Sequence, residues 1–178
     1  MNYYISDTHF GHQNVLTFDN RPFADIEEMD RQMMALWNKT VSKDDDIYIL
    51  GDFCFRSRNA PSWYLKQLNG RKHLIQGNHD KLLLNDPQSL VLLESVDKML
   101  FVQDSGQKLV LCHFPLAEWN GFYKGAWHIY GHIHSRPDGA AQYMRSLNRA
   151  LNAGCMVNGY CPVTFQELVE NNCALKTP

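Results

Sequence analysis

Five times along this chain a short apolar run gives way at once to a cluster of Asp, Asn or His side chains, a layout that restricts the fold more than any other feature. The clusters are Asp7-Thr8-His9 after Tyr3 to Ile5, Gly51-Asp52 after Ile47 to Leu50, and Gly77-Asn78-His79-Asp80 after Leu74 and Ile75. Cys112-His113 follows Lys108 to Leu111, and Gly131-His132-Ile133-His134 follows Trp127 to Tyr130. Runs of this kind read as buried strands. In an α/β or layered β fold, loops that follow the strands gather along one sheet edge, so the five clusters are expected to meet in space.

The segments between the clusters supply the helices. Ile26, Met29, Met33, Leu36 or Trp37, and Val41 recur at helical spacing, and Asp25 stands where a cap belongs. This predicts an amphipathic helix whose methionine and tryptophan stripe is core. Pro61 opens a second, short helical pattern through Trp63, Leu65 and Leu68 that stops at Asn69-Gly70. The first half therefore reads strand, helix, strand, helix, strand. In the second half Lys98 to Gln103 and Lys108 to Leu111 flank Asp104-Ser105-Gly106, a hairpin signal. A strand from Leu151 onward and a short closing helix over Thr164 to Glu170 complete the pattern. With 178 residues the chain suffices for one domain with a sizeable core, expected to span positions 1–178.

Lys plus Arg (17) nearly balance Asp plus Glu (19), so there is no general basic field of the kind that grips long duplex nucleic acid. No apolar run approaches the roughly 20 residues of a membrane helix. The start, MNYYISDTHFGH, lacks the layout of a signal peptide, and a cytoplasmic protein is expected. The five cysteines form no CxxC pair and read as reduced thiols; Cys54 and Cys112, beside two of the clusters, read as small apolar packing.

Carboxylate, amide and imidazole ligands together suit Mn²⁺, Fe or Zn²⁺. Two ions held roughly 3.5 to 4 Å apart need a carboxylate able to bridge them, and Asp52 is the candidate. Asp7 and His9 are two residues apart, so on an extended segment both side chains leave one face and meet one ion. His132 and His134 share that spacing, but a turn between them would send them to different ions. His12, Arg21 and Arg56 are candidate substrate contacts. Trp119, Phe122 and Tyr123 form an aromatic loop that either stacks on a base or packs as a satellite apolar cluster.

The ordered set DxH, GD, GNHD, a lone His and GHxH resembles the calcineurin-like metallophosphoesterase family over most of the chain. ISDTHFGH at the start, Arg21 to Phe23, and NxGxxxNGYxP from Asn152 to Pro162 resemble its small stand-alone bacterial and phage members. The resemblance implies a four-layer α-β-β-α sandwich, an α/β fold of two facing mixed sheets flanked by helices. It implies that Asp7, His9, Asp52 and His134 hold one ion while Asp52, Asn78, His113 and His132 hold the other, with Mn²⁺ favoured over Zn²⁺ or Fe. The expected activity is hydrolysis of a small nucleotide-like phosphodiester by a hydroxide that the two ions activate, with His79, left without a ligand role, as general acid and Asp80 orienting its ring. Alternatives are a phosphomonoesterase or, less favoured, a metal-binding scaffold without catalysis. The intervals between motifs are too short for a cap domain, so an open pocket for a small phosphate ester is expected, with no membrane or long duplex as partner. The tail from Asn152 to Met156 offers no carboxylate to the site.

Overall fold

The computed structural model describes residues 1–176. Its elements run β1 (Asn2–Ile5), α1 (Val15–Phe18), α2 (Ile26–Thr40), β2 (Asp46–Ile49), α3 (Pro61–Leu65), β3 (Arg71–Ile75), α4 (Lys81–Leu84), α5 (Pro87–Leu90) and β4 (Ser95–Asp97). They continue with β5 (Met99–Asp104), β6 (Gln107–Cys112), β7 (Trp127–Tyr130), α6 (Gly139–Ser146), β8 (Ala150–Asn152) and α7 (Phe165–Lys176).

Two four-stranded sheets form, ordered β1-β2-β3-β4 and β5-β6-β7-β8. Pairing along the first is parallel throughout; in the second, β5 is antiparallel to β6 and the other pairs are parallel. The mixed character expected of both sheets thus lies in the second. The first is a run of strand, crossover, strand units, and crossovers through helices return strands in parallel.

Alternation along the strands builds the layers. Tyr3, Ile5, Ile47, Ile49 and Leu74 face α2 and its buried Met29, Met33 and Trp37. Tyr4, Leu50 and Ile75 point the other way, onto Leu109, Leu111, Ile129 and Leu151 of the second sheet. Val110, Tyr130 and Ala150, on that sheet's far face, meet Ala141 and Met144 of α6. Helix, sheet, sheet, helix is the resulting order, with both sheets buried on two faces.

Local chemistry accounts for the element ends. The Asp25 side chain accepts from the Glu28 amide to cap α2, and the Glu28 carboxylate accepts from the Ala24 amide. Trp37 rather than Leu36 turns inward. α3 is shorter than its pattern: Tyr64 and Leu65 are buried while Trp63 lies exposed. The Tyr64 hydroxyl donates to buried Asp30, a pairing that apolar spacing does not report. The hairpin closes through Ser105 and Gly106, both left-handed, as a two-residue turn between opposed Asp104 and Gln107. α7 runs farther than expected, capped by reciprocal bonds between Thr164 and Glu167. Among the described residues no helix is long and apolar enough to cross a membrane.

The C-terminal segment stitches the sheets together beside the site. Tyr4 and Val163 exchange backbone hydrogen bonds, the Ser6 amide donates to the Ala153 carbonyl, and the Ala153 amide donates to the Tyr130 carbonyl.

His128 is buried in the second sheet. Its Nδ1 lies 3.0 Å from the Val110 carbonyl, and its Nε2 accepts from the Leu116 amide, so the neutral ring with a proton on Nδ1 satisfies both. Burial lowers its pKa from 6.5 to about 4. The unfolded chain therefore binds the proton first, and stability falls as pH drops from about 6.5 through about 4, by up to about 3 kcal/mol. Urea unfolding followed across that range should show this loss, and His128→Gln should lose less over the same interval.

Candidate metal centre

Each polar cluster is carried on a sharp turn at a strand end. Asp7, His9, Asp52, His132 and His134 all have left-handed backbone, with φ between 50° and 70°. Non-glycine residues take this conformation at a cost, and it concentrates at functional sites. The extended geometry expected for Asp7 to His9 is thus not what brings them together: two left-handed residues flanking Thr8 turn both side chains inward. Gly51, at φ 79°, permits close approach, because a Cβ there would come within 2.6 Å of the Gly77 backbone and of His113 Nδ1. A Cβ at Gly131 would collide with Ser6 Oγ.

The turns gather the predicted ligands into two groups. Ligand atoms of Asp7, His9 and His134 lie within 4.8 Å of one another, as do those of Asp52, His113 and His132. Asp52 Oδ2 stands 3.6 Å from His9 Nε2 and 3.6 Å from His113 Nε2, between the groups. Asn78 Oδ1 is 3.0 Å from His113 Nε2. His132 and His134 fall in different groups, the outcome left open by their spacing.

The donor set fits a pair of cations. Both ring nitrogens of His9 are buried without a hydrogen-bond partner. His113 Nδ1 is 2.7 Å from the Leu50 carbonyl, so that nitrogen carries the proton and the Nε2 lone pair faces the oxygens of Asn78 and Asp52. An imidazole fixed this way presents a ligand nitrogen. Burial raises the Asp7 and Asp52 carboxyl pKa values, and it pushes that of His9 far down. Opposed lone pairs and buried carboxylates are costly unless a positive ion lies among them.

Two expected roles are corrected. Asp80 does not orient the His79 ring: its fully buried carboxylate accepts from the amides of Asp52, Phe53 and Gly77, at 3.0, 2.9 and 2.7 Å. It holds two ligand turns together. Arg21 is not placed to touch substrate either. It is 4% exposed, and its guanidinium donates to the carbonyls of Asp7 and Thr8 and to the Asp19 carboxylate. It fixes the first ligand turn from behind.

Asp19 is the clearest omission from the sequence reading. It lies 3.1 Å from His134 Nδ1 and is paired with Arg21, yet stands in a polar loop that follows no strand. Asn152 accepts from the Gly154 amide and donates to the His134 carbonyl, so the tail serves the site through backbone, without a carboxylate.

The mouth is lined by His12, His79, Asn78 and three phenylalanines. The His12 ring packs against Phe55 and His9, and burial, with the charges of His79 and Arg56, lowers its pKa to about 4. The half-buried His79 ring lies 4.2 Å from that of Phe55, and its backbone amide donates to Asp52. Arg56 is exposed, its guanidinium 5.2 Å over the Phe55 ring. Trp119 and Phe122 pack with His128 and α6 as the satellite cluster, and Tyr123 is 83% exposed.

Hydrogen bonds to a charged acceptor contribute about 1.5–3 kcal/mol each. Asp80→Asn should therefore destabilise the protein by about 2 kcal/mol in urea titration and weaken divalent-cation binding measured by calorimetry with Mn²⁺ and Zn²⁺ in turn. His79→Gln should leave that binding unchanged.

No protein-family model matches the chain. It is 31% identical over 170 residues to an uncharacterized protein of Methanocaldococcus jannaschii, covering 94% of this chain and 89% of the relative. It is 30% identical over 161 residues to the gene 66 protein of Mycobacterium phage L5, covering 75% and 77%. Among solved structures it is similar to a protein of unknown function from Aquifex aeolicus, with a TM-score of 0.73 and 26% identity over 96% of this chain and 98% of that one. With the five motifs assembled at the strand ends of a two-sheet sandwich, the chain belongs to one family with its archaeal and phage relatives, and its ordered motifs resemble those of calcineurin-like metallophosphoesterases.

Proposed function

We propose that the protein is a two-metal phosphodiesterase acting on a small nucleotide-like diester. The observation that carries this reading is the position of Asp52 Oδ2, equidistant from a histidine of each ligand group. Asp7, His9, Asp52 and His134 would hold one ion; Asp52, Asn78, His113 and His132 would hold the other, with Mn²⁺ the favoured metal for this mixture of oxygen and imidazole ligands. When bound, such a pair supplies an activated water nucleophile and neutralises charge on the phosphoryl oxygens.

The chain's own residues do the rest. The amides on Asp80 and the guanidinium on the Asp7 and Thr8 carbonyls hold the ligand turns in register, so the phosphoryl group is positioned rather than searched for. His79 has its backbone tied to Asp52 and its ring at the mouth, free of ligand duty. It gives a ring proton to the departing ester oxygen.

The test is to strip the purified protein of metal, restore Mn²⁺, Zn²⁺ or Fe²⁺ singly, and compare bis(4-nitrophenyl) phosphate with 4-nitrophenyl phosphate. Faster turnover of the diester is expected. Turnover of the monoester alone would replace the diesterase with a phosphatase, and inactivity with every ion would leave a metal-binding scaffold. A second expectation concerns the acid: His79→Gln should keep both metals and lose about 10²–10⁴-fold in kcat on diesters with alkoxide leaving groups, with little loss on nitrophenolate. Unchanged turnover of an alkyl diester would remove His79 from that role.

A further inference from the structure

Three phenylalanines stand around the metal centre and belong to none of the apolar clusters formed by the described residues. Phe18 is 56% exposed, with its ring 5.6 Å from that of His134 and 6.4 Å from that of His9. Phe114 is 43% exposed and lies 4.7 Å from His132 and 5.0 Å from His113. Phe55 sits 4.2 Å from His79, beneath the Arg56 guanidinium. Leaving rings of this size in water beside buried charges gives up burial energy that a core position would recover.

Their distribution follows the two ligand groups. Phe18 borders His9 and His134, whereas Phe114 borders His113 and His132. A phosphodiester straddling both groups would have a ring within reach of each ester arm. Arms ending in flat aromatic groups would cover both faces; small alkyl arms would cover neither. The Phe55 and Arg56 pair adds an exposed cation over a ring, suited to a further phosphate or base.

We infer that Phe18 and Phe114 are specificity residues, each stacking an unpaired nucleobase on its side of the scissile linkage, so that the substrate is a dinucleotide or a short single strand of nucleic acid. The inference rests on the phosphodiesterase reading above for where the phosphate lies. Bases in a duplex are already stacked and cannot reach the rings. Stacking on an aromatic side chain contributes about 1–3 kcal/mol per base, which corresponds to about 5- to 150-fold in affinity.

Two measurements decide it. In the first, fluorescence anisotropy follows a labelled hexathymidylate on the metal-free protein. Phe18→Ala and Phe114→Ala should each weaken binding by at least about 5-fold, Phe114→Trp should restore it, and a blunt duplex should not compete. In the second, the Mn²⁺-loaded protein is given thymidylyl-thymidine and methyl 2,2,2-trifluoroethyl phosphate, whose two arms carry no flat group. The alanine variants should raise KM for the dinucleotide by a similar factor and raise KM for the methyl ester by much less. Unchanged hexathymidylate binding and dinucleotide KM, with the methyl ester still hydrolysed, would overturn the stacking assignment and leave the diesterase standing. Equal losses on both esters would also overturn it, since the rings would then be shaping the centre itself. No hydrolysis of either ester with any ion would sink the diesterase reading, and the anisotropy series alone would then decide the stacking.

Discussion

The structure is organised around anionic groups buried at the junction of two sheets. Asp7, Asp52 and Asp80 have almost no exposed surface, and Asp19 lies just behind them. Taking a carboxylate out of water costs several kcal/mol even after relaxation. Backbone offsets part of that cost: three amides on Asp80, the His132 amide on Asp7, the His79 amide on Asp52. Each of these bonds also fixes a turn. The electrostatic problem and the positioning of ligands therefore have one solution, in which amides of one ligand turn compensate the charge of another.

That reciprocity explains why the site spans both sheets. Asp7 comes from the end of β1 and accepts from a residue after β7, and Asp52, after β2, meets His113, after β6. Tyr4, Leu50 and Ile75 press the first sheet onto the second a few residues before these ligands. Each ligand group draws on both sheets, so a change in the layer of side chains between them would alter the spacing of ligands within each group, and packing distant from the site sets the size of each nest.

Much of this was legible in the amino-acid sequence, for a physical reason. Ligands sit where an apolar strand stops, and both halves of that pattern are written locally. Asn78 and His113, or the capped helix after Asp25, could be located without coordinates. Roles that depend on a partner far along the chain could not. Asp80 looked like a companion of its neighbour His79, yet its bonds go to Asp52 and Phe53 as well as Gly77. Arg21 looked like a free cation and proved to be a buried strut. The aromatic residues divide in the same way: the loop of Trp119 and Phe122 left stacking and satellite packing open and the fold takes the second, whereas Phe18, Phe55 and Phe114 carry no local sign of standing beside the candidate ligands. The short α4, α5 and β4 lack a full period of any pattern, although the Asp86 cap and Pro87 mark where α5 begins.

Left-handed backbone at five ligand positions has a consequence for how the centre responds to a change of ion. A side chain on a flexible loop can swing to meet a larger or smaller cation. Here the direction of each ligand is set by a backbone turn that glycine contacts and buried amides already enforce, and little freedom is left in the side chain. A metal bound here would meet a die rather than a glove: exchange would be accommodated by the ion's own coordination preferences, and the cost of a poor fit would fall on affinity instead of being spread through the fold.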